Sequence, residues 1–141
     1  MIPAEDRSFA SLQVGDTATF EYRISEDNVR AFADLSGDQN PLHMDDVYAR
    51  TSAYSGRVVH GMFLGALVSR LIGMHLPGKR ALLMKESLTF KKPVYSGDTV
   101  RLEGVVVQTS KATQSITVDI RVHVGDVLVA TGEVHVHVRA E

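Results

Sequence analysis

Residues 61–74, Gly61-Met62-Phe63-Leu64-Gly65-Ala66-Leu67-Val68-Ser69-Arg70-Leu71-Ile72-Gly73-Met74, are apolar on nearly every side of a helical projection, interrupted only at Ser69 and Arg70. A helix that is apolar all round must be buried, so the rest of the chain has to wrap it. Pro77-Gly78 closes the segment. Beyond it the hydrophobic period changes from about 3.6 to about 2. Ala81 to Val94 holds one or two strands, and Thr99 to Gln108 is another after Ser96-Gly97-Asp98. Ser115 to Val124 alternates cleanly, with Ile116, Val118, Ile120, Val122 and Val124 on one side. Gly125-Asp126 is a two-residue hairpin signal, and Val127 to Val138 returns as the last strand. A buried helix followed by antiparallel strands predicts an α+β fold, a sheet wrapped on a central helix.

The N-terminal part completes this plan. Thr17 to Ile24 reads as a strand. Ser25 then suits a helix N-cap, with Glu26 and Asp27 in the first turn where the helix dipole favours negative charge. Ile24 and Val29 have the spacing of a hydrophobic staple, and Gly37 supplies a stop. Asp38-Gln39-Asn40-Pro41-Leu42-His43 is expected to be a structured loop, because Pro41 disfavours regular helix. Asp45 and Asp46 suit the start of a short helix through Tyr48.

Composition narrows the class. The chain has 141 residues, a common size for one domain, and no internal repeat or linker divides residues 1–141. It has no cysteine, which removes disulfides, thiolate metal sites and a cysteine nucleophile. The polar, acidic start is unlike a signal peptide, and no apolar run reaches the roughly 18 residues of a membrane span, so a cytoplasmic protein is expected. A net charge of -2 argues against a general nucleic-acid binder.

Two segments carry chemistry. Asp38, Asn40 and His43 stand close together around Pro41. A carboxylate and an imidazole held side by side can orient one water and share its protons. Residue types alone leave a second reading open, in which Asp38 and Asn40 make turn hydrogen bonds and His43 is an ordinary histidine. The other segment, Val58-Val59-His60-Gly61-Met62, lies where the buried helix begins. Free N–H groups at a helix start attract negative charge, and Gly61 permits close approach to the backbone. Gly61 could equally be there only for a tight turn.

Together, Phe32-Ala33, Ser36-Gly37-Asp38, Asn40-Pro41 and His43, followed by Val59-His60-Gly61-Met62, resemble the MaoC-like family of (R)-specific enoyl-CoA hydratases. The resemblance continues through Leu76-Pro77-Gly78, Phe90-Lys91-Lys92-Pro93-Val94 and Gly97-Asp98-Thr99-Val100. It implies a hot-dog fold, usually a homodimer, and an acyl-CoA substrate. Asp38 and His43 would be the catalytic pair, with Asn40 and Pro41 supporting the loop. The Gly61 backbone N–H would be the oxyanion hole. Water would add across a trans-2-enoyl-CoA to give an (R)-3-hydroxyacyl-CoA, with no metal and no cofactor beyond the CoA of the substrate. The family often has a proline where Arg57 stands, which bears on pocket shape. Helical spacing from Gly61 puts Gly65, Ser69 and Ile72 on one face, a candidate acyl path; an equal reading has them only pack the helix. Met62, Met74 and Met84 are expected in the core or lining an acyl pocket.

Other features have plainer explanations. His135 and His137 alternate with Val134, Val136 and Val138, which puts them on the face away from the core, with no carboxylate or third histidine expected beside them for a metal. His75 suits a helix end, and His60 is expected to hydrogen-bond locally. Lys91 and Lys92 could meet CoA phosphates, but beside Pro93 they read as a solvated edge. Three rival functions remain: a 3-hydroxyacyl-[acyl-carrier-protein] dehydratase, a hot-dog thioesterase and a non-catalytic acyl-thioester binding subunit. The first would differ by a basic rim at the entrance. The second fits poorly with the Asp38–His43 loop, and the third with both of those residues being present.

Overall fold

The computed structural model describes residues 1–140. Its elements are β1 (Thr17–Arg23), α1 (Glu26–Ser36), α2 (Pro41–Met44), α3 (Asp46–Thr51), α4 (Gly61–Arg70), β2 (Ala81–Phe90), β3 (Thr99–Ser110), β4 (Ser115–Val124) and β5 (Val127–Val138). The strands form one antiparallel sheet in the order β1-β3-β4-β5-β2. The hairpin at Gly125-Asp126 pairs Val124 with Val127, where the turn signal puts it. Residues 81–94 give one strand rather than two, since pairing with β5 runs from Ala81 to Phe90 and then ends.

The central helix is α4, continued by a π-helical turn at Leu71–His75. Leu64, Leu67, Val68, Leu71 and Ile72 are buried with Val100, Leu102, Val118, Ile120 and Val134 of the sheet in a single core. Gly104 of β3 lets the two layers meet closely: a Cβ there would come 2.7 Å from Leu71. The N-terminal segment is fastened across the end of this helix. Asp6 pairs with Arg80 and Lys79, whose hydrogen bonds hold its carboxyl down at about 2.

The other helices begin as their sequences imply. Ser25 caps α1 through a capping box with Asn28, and Ile24 and Val29 are both buried beneath it. Gly37 ends α1 in the left-handed region, at φ 77°. Two expectations are corrected here. Pro41 does not keep its segment out of helix; it opens α2 at the first helical position, where a missing N–H costs nothing. The helix expected to end at Tyr48 runs on to Thr51, capped by the Asp45 side chain.

Further corrections concern side chains. Met62 and Met84 are exposed in the single chain rather than in its core. His135 and His137 do lie on the outer face, but a carboxylate is beside them: Glu133, two residues earlier on the same face, is 2.9 Å from His135 Nε2. His75 ends the π turn with its ring centroid 5.5 Å from that of Phe20.

Candidate active site

The site begins with the way α1 stops. Once Gly37 has turned the chain, short polar side chains hold the next residues in nested turns. Ser36 Oγ accepts from the Asp38 N–H at 3.1 Å, and Asp38 Oδ1 from the Asn40 N–H at 3.2 Å. Asn40 Oδ1 accepts from the Leu42 N–H at 2.9 Å, which makes Asn40 the N-cap of α2. Asn40 and Pro41 thus support the loop by starting a helical turn, and that turn aims His43.

The second segment grips the first at both ends. His43 Nδ1 is 2.6 Å from the Val58 carbonyl oxygen, which can only accept, so Nδ1 carries the proton and Nε2 is the free nitrogen. The Val58 N–H donates to the Leu42 carbonyl at 3.1 Å. His60 Nε2 donates to the Asp38 carbonyl at 3.0 Å, and its ring stacks on that of His43 with centroids 3.9 Å apart. The hydrogen bonding of His60 is therefore not local, as its sequence position suggests; it spans the two motifs. Arg57, at the position where the family often has proline, is only 12% exposed and reaches Glu26 at 3.0 Å and Asp46 at 3.5 Å. It ties the strap before Val58 to the starts of α1 and α3.

Between these supports, His43 Nε2 faces Asp38 Oδ2 across 3.9 Å, too far for a direct hydrogen bond. Asp38, His43 and His60 also form a possible metal-ligand cluster, their donor atoms within 4.8 Å of one another. Two of the four ring nitrogens in this cluster are already engaged, His43 Nδ1 with the Val58 carbonyl and His60 Nε2 with the Asp38 carbonyl.

Gly61 is the first residue of α4. A Cβ on it would come 2.9 Å from the Phe90 ring, so the glycine is needed for that close packing. His60 occupies the N-cap position but makes no capping bond with its side chain, which is engaged with Asp38. A cavity of about 330 Å³ opens beside this helix start, lined by His43, Tyr54, Gly61, Leu64, Phe90 and Lys91 among others. Lys92 also lines it, so the lysine pair borders the site as well as being exposed. The remaining candidates lie outside this cavity. Met62 and Ser69 are exposed, Gly65 is buried against Met62, Glu86 and Leu88, and Ile72 is buried in the core. Helical spacing alone would align Gly65, Ser69 and Ile72, but the π turn at Leu71–His75 changes the angular step beyond Arg70. Glu86 is an addition that no sequence pattern singled out: half-buried on β2 near Gly65, its carboxyl is pushed above the usual value by burial.

The sequence profile described as MaoC like domain matches residues 10–127. The chain belongs to this family. It is 42% identical over 127 residues to an (R)-specific enoyl-CoA hydratase of Aeromonas caviae, covering 89% of this chain and 95% of that one. A solved (R)-hydratase structure from A. caviae, described as involved in PHA biosynthesis, superposes with a TM-score of 0.87 at 41% identity, covering 91% of this chain and 98% of that one. The unliganded R-hydratase PhaJ1 of Pseudomonas aeruginosa gives 0.91 at 32% identity, covering 98% and 89%. The fold is accordingly the hot-dog fold of this family. Among the described residues no helix is long and apolar enough to cross a membrane.

Proposed function

We infer that this MaoC-like protein is an (R)-specific enoyl-CoA hydratase, a hydro-lyase that adds water to trans-2-enoyl-CoA. The observation that carries the reading is the pair of acceptors, Asp38 Oδ2 and His43 Nε2, 3.9 Å apart beside the start of α4. Two acceptors at that separation suit one water, which can donate a hydrogen to each. Its oxygen lone pairs then point away from both, toward an incoming carbon.

The thioester carbonyl makes C3 of the enoyl chain electrophilic. As the water oxygen bonds to C3, the Asp38–His43 pair takes one proton from it. The C2–C3 π electrons shift to the thioester oxygen, where the Gly61 N–H would stabilise them. Their return to C2 takes up one proton, so one water is added in all. The sequence uses side chains, backbone and water, with no step that calls for a metal or redox cofactor. Lys91 and Lys92 on the cavity wall fit the phosphates of CoA, and a CoA-borne substrate fits a cytoplasmic enzyme. Ser69 and Ile72 would limit the acyl tail, with Met62 and Gly65 closer to the carbonyl.

The same proposal includes a homodimer. β2 is a sheet edge, and Leu82, Leu83, Met84 and Phe90 on it are exposed in the single chain. A long apolar edge of this kind is normally covered. Pairing through β2 would bury these residues together with Met62.

Loss of crotonyl-CoA absorbance, with chiral analysis of the product, tests the function. The expected product is (R)-3-hydroxybutyryl-CoA. Release of free CoA would make the protein a thioesterase instead, and no turnover would leave a binding subunit.

A further inference from the structure

We propose that His60 is a positioning residue for hydration: its Nε2–H fixes the backbone of Asp38 while its ring fixes the plane of the His43 imidazole. The inference rests on the assignment of Asp38 and His43 as the pair that handles water.

Four observations lead to it. His60 is 2% exposed, an unusual place for an imidazole with no charged partner. Its Nε2 reaches the Asp38 carbonyl at 3.0 Å across 22 positions of sequence. Its ring lies 3.9 Å from that of His43 and 5.0 Å from that of Phe32, so it is held between the catalytic ring and the body of α1. Finally, its Nδ1 is buried with no hydrogen-bond partner among the described residues. Nε2 faces a carbonyl, which can only accept, so the ring carries hydrogen on Nε2 and donates it to Asp38.

The geometry explains why the contact matters. Asp38 is half exposed, and its side chain is held by one bond, from the Asn40 N–H within its own turn. The turn is local and would move as a unit. The bond from His60 is the tie between that unit and α4, the helix that starts at Gly61. His43 has a corresponding tie through Val58. His60 therefore sets the 3.9 Å separation of the two acceptors from the Asp38 side, and sets their place relative to Gly61. It touches neither water nor substrate and acts through the residues that do.

Two variants separate its two contacts. His60→Gln keeps an N–H donor and loses the stacked ring; His60→Phe keeps a ring and loses the donor. Each is assayed with crotonyl-CoA beside wild type and Asp38→Asn, with circular dichroism to confirm folding. His60→Phe is expected to lower kcat by about tenfold to a hundredfold with KM changed by no more than about twofold, the pattern of a misplaced catalytic group. His60→Gln is expected to recover part of that loss. If folded His60→Phe keeps wild-type kcat, or if His60→Gln is no better than His60→Phe, His60 is only a packing residue. If wild type is inactive, or Asp38→Asn is as active as wild type, the hydratase reading fails instead. A measurement on the unaltered protein needs no variant to fold: ¹H–¹⁵N spectra of the ring nitrogens should show His60 as the Nε2–H tautomer. Hydrogen on Nδ1 would overturn the proposal.

Discussion

Among the described residues, three of the four α-helices start with a side chain closing their first turn, and the fourth does not. Ser25 caps α1, Asn40 caps α2 and Asp45 caps α3. At α4 the N-cap position is held by His60, whose side chain turns to Asp38 instead. A cap satisfies backbone N–H groups that would otherwise lack a partner and adds about 1 kcal/mol of stability. Leaving the start of the central helix without one forgoes that gain beside a cavity lined by Gly61 and His43, with the Asp38 carboxylate 3.9 Å from the His43 ring nitrogen. The difference points to function: the caps of α1 and α3 close a first turn, that of α2 also aims His43, and the start of α4 has no side-chain cap over its N–H groups.

The largest expected effect sharpens this contrast. Asp38→Asn keeps shape but removes the carboxylate, and His43→Gln keeps a polar group but removes the imidazole. Each should lower kcat by roughly 100- to 10,000-fold, the usual contribution of general acid–base groups. Neither residue is in the core, so melting temperature should hardly move. Near wild-type turnover in either variant would remove that residue from the pair.

Sequence and structure divide along the same line. Ser25, Gly37, the Gly125-Asp126 hairpin and the alternation of β4 were legible because each is decided by neighbours a few residues away. The Asp38–His43 loop is legible as a motif, although the rule that proline disfavours regular helix points to a break at Pro41, where α2 begins. The π turn at Leu71–His75 was not legible, since nothing in an all-apolar run marks a change of helical step. Nor was the reach of His60 to Asp38, because a contact across 22 positions depends on how α1 and α4 are packed.

The next effect concerns the tail of the substrate. If the acyl chain follows α4, a bulkier residue at Ser69 should slow a medium-chain enoyl-CoA far more than crotonyl-CoA. Ile72→Ala should favour the longer substrate, although Ile72 is fully buried and its truncation should cost about 2–5 kcal/mol. Kinetics on both substrates, with stability measured alongside, separates the two consequences. Equal changes on both substrates would mean that the chain takes another path.

Smaller still is a direct test among the caps. Ser25→Ala and Asn40→Ala each remove one N-cap, and each should cost about 1 kcal/mol by urea denaturation. Ser25 lies away from the reacting groups, so turnover per folded molecule should be unchanged. Asn40 starts the turn that aims His43, so its removal should also lower kcat. Equal kcat in the two variants would break the distinction between a cap that only stabilises and one that also orients.

The smallest effect is a pH dependence, and it follows from two carboxyls shifted in opposite directions. Glu86 lies against Gly65, Met62 and Leu88, and burial raises its carboxyl above the usual value in the folded chain. The fold thus binds this proton more readily than the unfolded chain does. The stability Glu86 contributes is present below the unfolded value of 4.5 and is lost as pH rises through the raised one. Asp6 behaves oppositely: held at about 2 by Arg80 and Lys79, it contributes stability at neutral pH that is lost only as pH falls toward that value. Glu86→Gln removes a charge that the site near Gly65 disfavours. It should raise the melting temperature at about pH 8 and change it little at about pH 4, where the native carboxyl is already protonated. The same increment at both pH values would mean that the side chain's shape, not its charge, sets the effect.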